Sequence, residues 1–252
     1  MNEAMHNMLI RTDVSRFAKL PKVRTLERPS LSVAEVDHLV QTAKQFSPSV
    51  YIGIFILANC GLRSGEMLAL RQDSLQYENG IAFLHIQYSL QRVKDFSAKG
   101  VEKKTSLKLT APKTENSVRK IPLSPAVEQV IKEHIDYQKG KAKKSYGLFE
   151  TNPFLVCDEL GNMVDPSTFR KKFNEVVAAA GLPRTTTQHV LRHSRCSHLI
   201  QSGCSPKMVS MYMGHSDAGF TMRRYTHYRL EDIFNEMITH DNRQTSCEEV
   251  SL

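Results

Sequence analysis

Apolar residues recur at helical spacing behind Ser32, where Val36, Leu39, Val40 and Ala43 follow the run Ser32-Val33-Ala34-Glu35. A Ser with a Glu three places on is a capping box, so the pattern predicts a helix that starts at Ser32. Pro48 restarts a second helix, and its dense apolar run from Tyr51 to Ala58 reads as a buried core helix that stops at Gly61. The rhythm then changes. Ile81-Ala82-Phe83-Leu84-His85-Ile86, Ser106 to Leu109 and Arg119-Lys120-Ile121-Pro122-Leu123 are strand-like and separated by polar turns, which fits a small antiparallel sheet. Helical signatures return at Ser124-Pro125, Asp165-Pro166 and Ser205-Pro206, each a capping residue followed by Pro at the first helical position. Gly181 and Gly203 close the helices between them. The expected fold is mainly α with a small antiparallel three-stranded β-sheet, an α+β arrangement without internal repeats.

The flanks differ from this middle. The first thirty residues hold a short apolar-polar stretch, Met8 to Phe17, and a basic linker from Lys19 to Arg28. Near the other end, Arg229 to Ile238 is amphipathic, with Leu230, Ile233, Phe234, Met237 and Ile238 on one face, and the residues from His240 are polar. The expected division is therefore 1–30 as a linker or remnant of another domain, 31–228 as the folded domain, and 229–252 as a C-terminal helix and flexible tail.

Composition narrows the function classes. Lys and Arg outnumber Asp and Glu by 34 to 26, a formal charge of +8 that suits a polyanionic partner. The absence of Trp and the 8% aromatic content argue against broad base-stacking surfaces. Five scattered cysteines without a C-x-x-C pair predict reduced thiols, neither a disulfide framework nor a zinc site. No apolar run approaches the roughly 20 residues of a membrane helix, and no signal-peptide pattern opens the chain. A cytoplasmic protein with no membrane partner is expected.

Four short motifs carry the candidate chemistry. They are Gly61-Leu62-Arg63-Ser64-Gly65-Glu66 at a helix-to-helix turn, Pro112-Lys113-Thr114 at a strand turn, His189-Val190-Leu191-Arg192-His193, and Gly214-His215 followed ten residues later by Tyr225. On a helix, positions i and i+3 share a face, so His189 and Arg192 point into a common site. Each motif alone has an ordinary explanation as a helix terminus or a solvated helix face. Their order and spacing together do not.

In that order and spacing the chain resembles the tyrosine recombinase, or phage integrase, family in its catalytic domain. The family pattern is an Arg in a G-L-R-x-x-E context, a Lys on a strand turn, an H-x-L-R-H box, a G-H and a Tyr nine or ten residues later. The resemblance runs from about Ser32 to about Tyr228. It implies the family's catalytic-domain fold and a site-specific recombinase for a mobile element, which cuts and rejoins DNA through a 3′-phosphotyrosine. The implied roles are Tyr225 as nucleophile, Arg63 and Arg192 as clamps on the phosphate, and Lys113 as general acid. His189 would act as general base or hydrogen-bond partner, and His215 as a donor to the scissile phosphate. Glu66 and His193 would support them. Tyr228 is the rival nucleophile, set aside on motif spacing. Arg195 stands where the family often has an apolar residue.

The resemblance further implies double-stranded DNA as partner, a homotetramer on DNA, accessory DNA-bending or directionality proteins, and neither cofactor nor metal. Family members usually carry a helical core-binding domain ahead of the catalytic one. The chain would then be a shortened form of a longer enzyme, a gene remnant or a minimal recombinase, with weak and salt-sensitive DNA binding. The alternatives are a type IB topoisomerase, a non-catalytic DNA-binding relative, and a metallohydrolase built on His189, His193 and His215. The last lacks the glutamate of an H-E-x-x-H motif.

Overall fold

The computed structural model describes residues 5–9, 11–12, 30–94, 105–111 and 118–214. The chain enters the fold at Leu31, whose N–H donates to Ser194 Oγ at 2.8 Å and whose carbonyl meets His198 Nε2 at 2.9 Å. Helix α1 (Val33–Ala43) follows with the full capping box: Ser32 Oγ accepts from the Glu35 N–H, and Glu35 Oε2 accepts from the Ser32 N–H.

Helix α2 (Pro48–Cys60) is the centre of the molecule. Ile52, Ile54, Ile56 and Leu57 are fully buried although they point in different directions, so neighbours cover the helix all round. Each such side chain contributes roughly 1.5–3 kcal/mol relative to exposure. Gly53 permits close approach on one side, since a Cβ there would stand 2.6 Å from the Phe169 ring. The left-handed residue Gly61 (φ 61°) ends α2, and after Leu62 and Arg63 the short helix α3 (Ser64–Leu68) begins.

The strands form two small sheets. β1 (Leu75–Glu78), β2 (Ile81–Ile86) and β5 (Arg119–Pro122) make an antiparallel three-stranded sheet in the order β1-β2-β5. β3 (Ser89–Lys94) and β4 (Thr105–Thr110) form a separate antiparallel ribbon. The sequence assigned Ser106–Leu109 to the three-stranded sheet; the third member is instead Leu75–Glu78. A two-residue turn, Asn79-Gly80, joins it to β2 with both residues at positive φ (51° and 78°), the conformation that favours Asn-Gly in hairpins.

Helices α4 (Pro125–Lys144), α5 (Pro166–Ala179), α6 (Gln188–Gln201) and α7 (Pro206–Met213) complete the chain, starting at the three Ser-Pro and Asp-Pro signals and at Thr187. Between α4 and α5 the backbone is irregular. His134 and Gln138 on the buried face of α4 hold the Phe154 and Leu155 carbonyls at 2.8 Å each, and Ser49 bonds both backbone groups of Cys157. Helix α6 packs on α2, and α7 packs on β5. That places the ends of α2 and α7, the start of α3 and the start of β5 beside one another. No helix among the described residues is long and apolar enough to cross a membrane.

Candidate active site

Two left-handed glycines shape the site. A helix leaves its last carbonyls without intrahelical partners, and a residue at positive φ turns the chain so that these groups point sideways. α2 ends in this way at Gly61 and α7 at Gly214 (φ 65°). Arg192, on α6, donates Nη1 to the Gly61 carbonyl at 2.7 Å and Nη2 to the Met213 carbonyl at 2.6 Å. Arg63 donates Nη2 to the next carbonyl, Gly214, at 2.7 Å. Residues far apart in sequence thus meet on adjacent peptide groups. Cations are favoured at helix C-termini, and a guanidinium has five N–H donors, so the same fork can hold carbonyls and an anion together.

Arg63 precedes α3 in extended conformation, and Glu66 reaches back from the first turn to accept the Arg63 N–H at 3.0 Å and Arg63 Nη1 at 2.8 Å. The Glu66 side chain is buried, and burial raises its pKa. Hydrogen bonds and charge from Arg119, with further bonds from Arg63, outweigh that effect and hold it below the usual glutamate range. Arg192 is pulled down to about 10, first by burial and then by the like charge of Arg63, and so remains a cation at neutral pH. Three guanidiniums, from Arg63, Arg119 and Arg192, surround one carboxylate.

His189 lies on the exposed face of α6, one turn before Arg192, and faces an open cleft of about 530 Å³. Arg63, Ser64, Arg170, Arg184 and Gln188 share its walls. The structure therefore brings Arg63, Glu66, His189 and Arg192 to one place. His193 is half-buried on the same helix. Arg195 is buried, with its Cγ 3.4 Å from where a Gly61 Cβ would stand, so the position that is often apolar in the family is filled by the stem of an arginine. Lys113, His215, Tyr225 and Tyr228 lie outside the described residues, as do the helix expected at 229–238 and the tail. Lys113 falls in the connection between β4 and β5, and His215 directly follows Gly214.

Sequence reasoning missed Arg119. This residue opens β5, its guanidinium bonds both Glu66 oxygens at 3.1 and 2.8 Å, and its Nε donates to the Tyr212 carbonyl at 3.0 Å. A signal existed. In Arg119-Lys120-Ile121-Pro122, strand alternation puts Arg119 on the face of the buried Ile121 and Lys120 on the other, and a cation on a core-facing position requires a partner. Arg170 and Arg184 also went unmarked, since nothing in their local sequence distinguishes them from surface cations.

The sequence profile of the Phage integrase family matches residues 29–231, and the chain belongs to that family. Among curated relatives, a tyrosine recombinase XerC-like protein of Caldanaerobacter subterraneus subsp. tengcongensis is 30% identical over 178 residues, covering 69% of this chain and 44% of that protein. The transposase from transposon Tn916 of Enterococcus faecalis is 26% identical over 195 residues, 74% of this chain and 44% of that protein. The chain thus spans less than half the length of these relatives. In solved structures, the fold is similar to that of the Tn1549 transposon integrase in complex with transposon right end DNA (TM-score 0.60, 23% identity, 90% of this chain and 70% of that one). XerA recombinase shares the fold at a TM-score of 0.55 and 18% identity, with 88% of this chain and 66% of that one covered.

Proposed function

We propose that this chain is the strand-cutting and rejoining part of a site-specific DNA recombinase, an integrase of a mobile element. The observation that carries the reading is the convergence of Arg63 and Arg192 on the adjacent carbonyls of Met213 and Gly214, immediately before His215. Family membership supports it, and so do the names of the relatives.

A phosphodiester passing to its pentacoordinate transition state gathers charge on its non-bridging oxygens. Planar, permanently charged guanidiniums match those oxygens pairwise. Arg63 and Arg192 take this role, and Glu66 fixes Arg63. Tyr225 attacks phosphorus through its phenolic oxygen; the bond to the 5′-oxygen breaks, leaving a 3′-phosphotyrosine and a 5′-hydroxyl whose proton comes from Lys113. His189 assists proton movement at Tyr225, and His215 donates to the phosphate. The phosphotyrosine keeps the energy of the broken bond, so a 5′-hydroxyl from another strand reverses the step, and the cycle needs neither ATP nor metal.

In this reading residues 31–228 are the catalytic domain, 1–30 a linker or remnant of a core-binding domain, and 229–252 a C-terminal helix and tail that either packs on its own core or docks on a neighbouring protomer in a DNA-bound tetramer. The protein works in the cytoplasm with double-stranded DNA and accessory bending or directionality proteins. A nicked suicide duplex built from the DNA flanking the gene, incubated without metal or ATP, tests the proposal. It predicts a denaturation-resistant protein–DNA adduct that Tyr225→Phe abolishes; an adduct that persists in the variant would exclude Tyr225 as nucleophile.

A further inference from the structure

Arg119 is the most fully bonded cation of the site and belongs to none of its four motifs. Its side chain is only 8% exposed and that of Glu66 5%, whereas Arg63 is 42% exposed. Arg119 thus meets Glu66 from the protein side, and Arg63 meets it from the cleft side. Glu66 Oε1 accepts from both guanidiniums, and Oε2 accepts from Arg119 and the Arg63 backbone N–H. On its other edge Arg119 holds the Tyr212 carbonyl in the last turn of α7. It also packs so closely on Gly214 that a Cβ there would stand 3.1–3.2 Å from the guanidinium. Gly214 is the residue whose carbonyl holds Arg63 Nη2. Arg119 therefore engages both supports of Arg63, bonding Glu66 and packing on Gly214.

A consequence follows from charge. Were Arg63 the main counterion of Glu66, the carboxylate would draw the guanidinium inward and cancel its charge. Arg119 supplies that counterion from behind, in a buried, bidentate fork of the kind that gives the strongest carboxylate pairing. The charge of Arg63 is then left for an anion in the cleft. We infer that Arg119 is a positioning residue: by neutralising Glu66 and bracing Gly214, it keeps the Arg63 guanidinium turned to and charged for a phosphate diester. The inference rests on the proposed function only for the identity of the anion.

The test uses the full chain as wild type, Arg63→Ala, Arg119→Met, Arg119→Lys and the Arg63→Ala/Arg119→Met double variant. Inorganic phosphate is titrated against each, with thermal unfolding as readout, so no cleavage is required. Positioning predicts that Arg119→Met weakens phosphate protection nearly as much as Arg63→Ala. The double variant is then no worse than Arg63→Ala alone, since residues acting through one group are non-additive. Arg119→Lys, which keeps the charge but loses the fork, falls between, and it carries the test if the Met variant does not melt cooperatively. Unchanged phosphate protection in both Arg119 variants, or a fully additive loss in the double variant, would overturn the inference.

The adduct assay adds a second readout. On a phosphodiester duplex, Arg119→Met slows adduct formation, by no more than the roughly 100- to 1000-fold that loss of the donor it positions would cost. On a duplex with a neutral methylphosphonate at the scissile position, less charge develops and the loss shrinks. A merely structural role predicts equal losses on both substrates and would count against positioning. Failure of the wild type to form any adduct, with the phosphate pattern intact, would speak against the recombinase reading and leave the role of Arg119 standing.

Discussion

Arg63 and Arg192 make similar bonds but stand in different surroundings, and their replacements should differ accordingly. Arg63 is substantially exposed, at 42% of its side chain. Arg63→Ala should leave the urea midpoint nearly unchanged while lowering the rate of adduct formation on the order of 100- to 1000-fold, the usual effect of losing a transition-state donor. Arg192 is 3% exposed and holds two helix-terminal carbonyls. Arg192→Ala should cost stability as well, because each orphaned buried group costs about 1–3 kcal/mol. Urea melts alongside rate measurements separate the two cases; equal stability of the two variants would contradict the description of Arg192. Gly61→Ala belongs to the same scale. A left-handed backbone costs a non-glycine residue roughly 1–2 kcal/mol, and the added Cβ would meet Met213 Cε at 2.8 Å, so a lower melting temperature is expected. The placement of Arg63, Glu66, His189 and Arg192 was legible in the sequence because G-L-R-S-G-E and H-V-L-R-H are local patterns that fix a helix end and a helix face. Arg119 was not, because its partner Glu66 is 53 positions away in the chain.

Among the elements, the helices and three of the five strands, β2, β4 and β5, announced themselves in the sequence. Each helix from α1 to α7 is long or well capped, apart from α3, and starts at a Ser, Thr, Asp or Arg whose backbone is outside the helical region. β1 and β3 carried weaker patterns. Leu75-Gln76-Tyr77-Glu78 is half exposed, so alternation there is shallow, and the ribbon partner of Thr105–Thr110 was masked by the polar character of Ser89-Leu90-Gln91-Arg92. Only the Asn79-Gly80 turn pointed to the missing strand. One of the side chains that hold the irregular segment after α4 is a buried histidine. Burial holds His134 below the ordinary histidine range, despite its bond to the Leu155 carbonyl. The unfolded chain then binds a proton near the usual value of 6.5 that the folded chain resists. The stability contributed by neutral His134 is complete above that pH and is lost as the pH falls toward the lower folded-state value. Thermal melts from pH 7.5 down to about 5 should fall less steeply for His134→Gln than for the wild type; parallel curves would show that His134 does not report on folding.

For the whole molecule, the +8 charge and the presence of Arg63, Arg170 and Arg184 in the cleft walls suit the phosphate backbone that the proposed function requires. Each neutralised phosphate contributes roughly −0.9 to the slope of log affinity against log salt. Arg170→Ala and Arg184→Ala should each make that slope shallower by about one contact and weaken binding to all duplex sequences alike. A loss confined to one sequence would mean base reading instead. Helical architecture and family were legible at this scale because the motifs are spread over the whole folded region. The cleft was not, since it is assembled from α3, α5, α6 and the connection that carries Arg184.

The proposed function turns on a covalent bond between Tyr225 and DNA. Its most direct measurement is tandem mass spectrometry of the adduct from the nicked duplex, after nuclease and protease digestion, with the released DNA end assayed for a 5′-hydroxyl. A nucleotide is expected on the peptide containing Tyr225, on that residue and not on Tyr228, with a free 5′-hydroxyl on the leaving strand. Modification of another residue, or a 5′-phosphate at the released end, would contradict it.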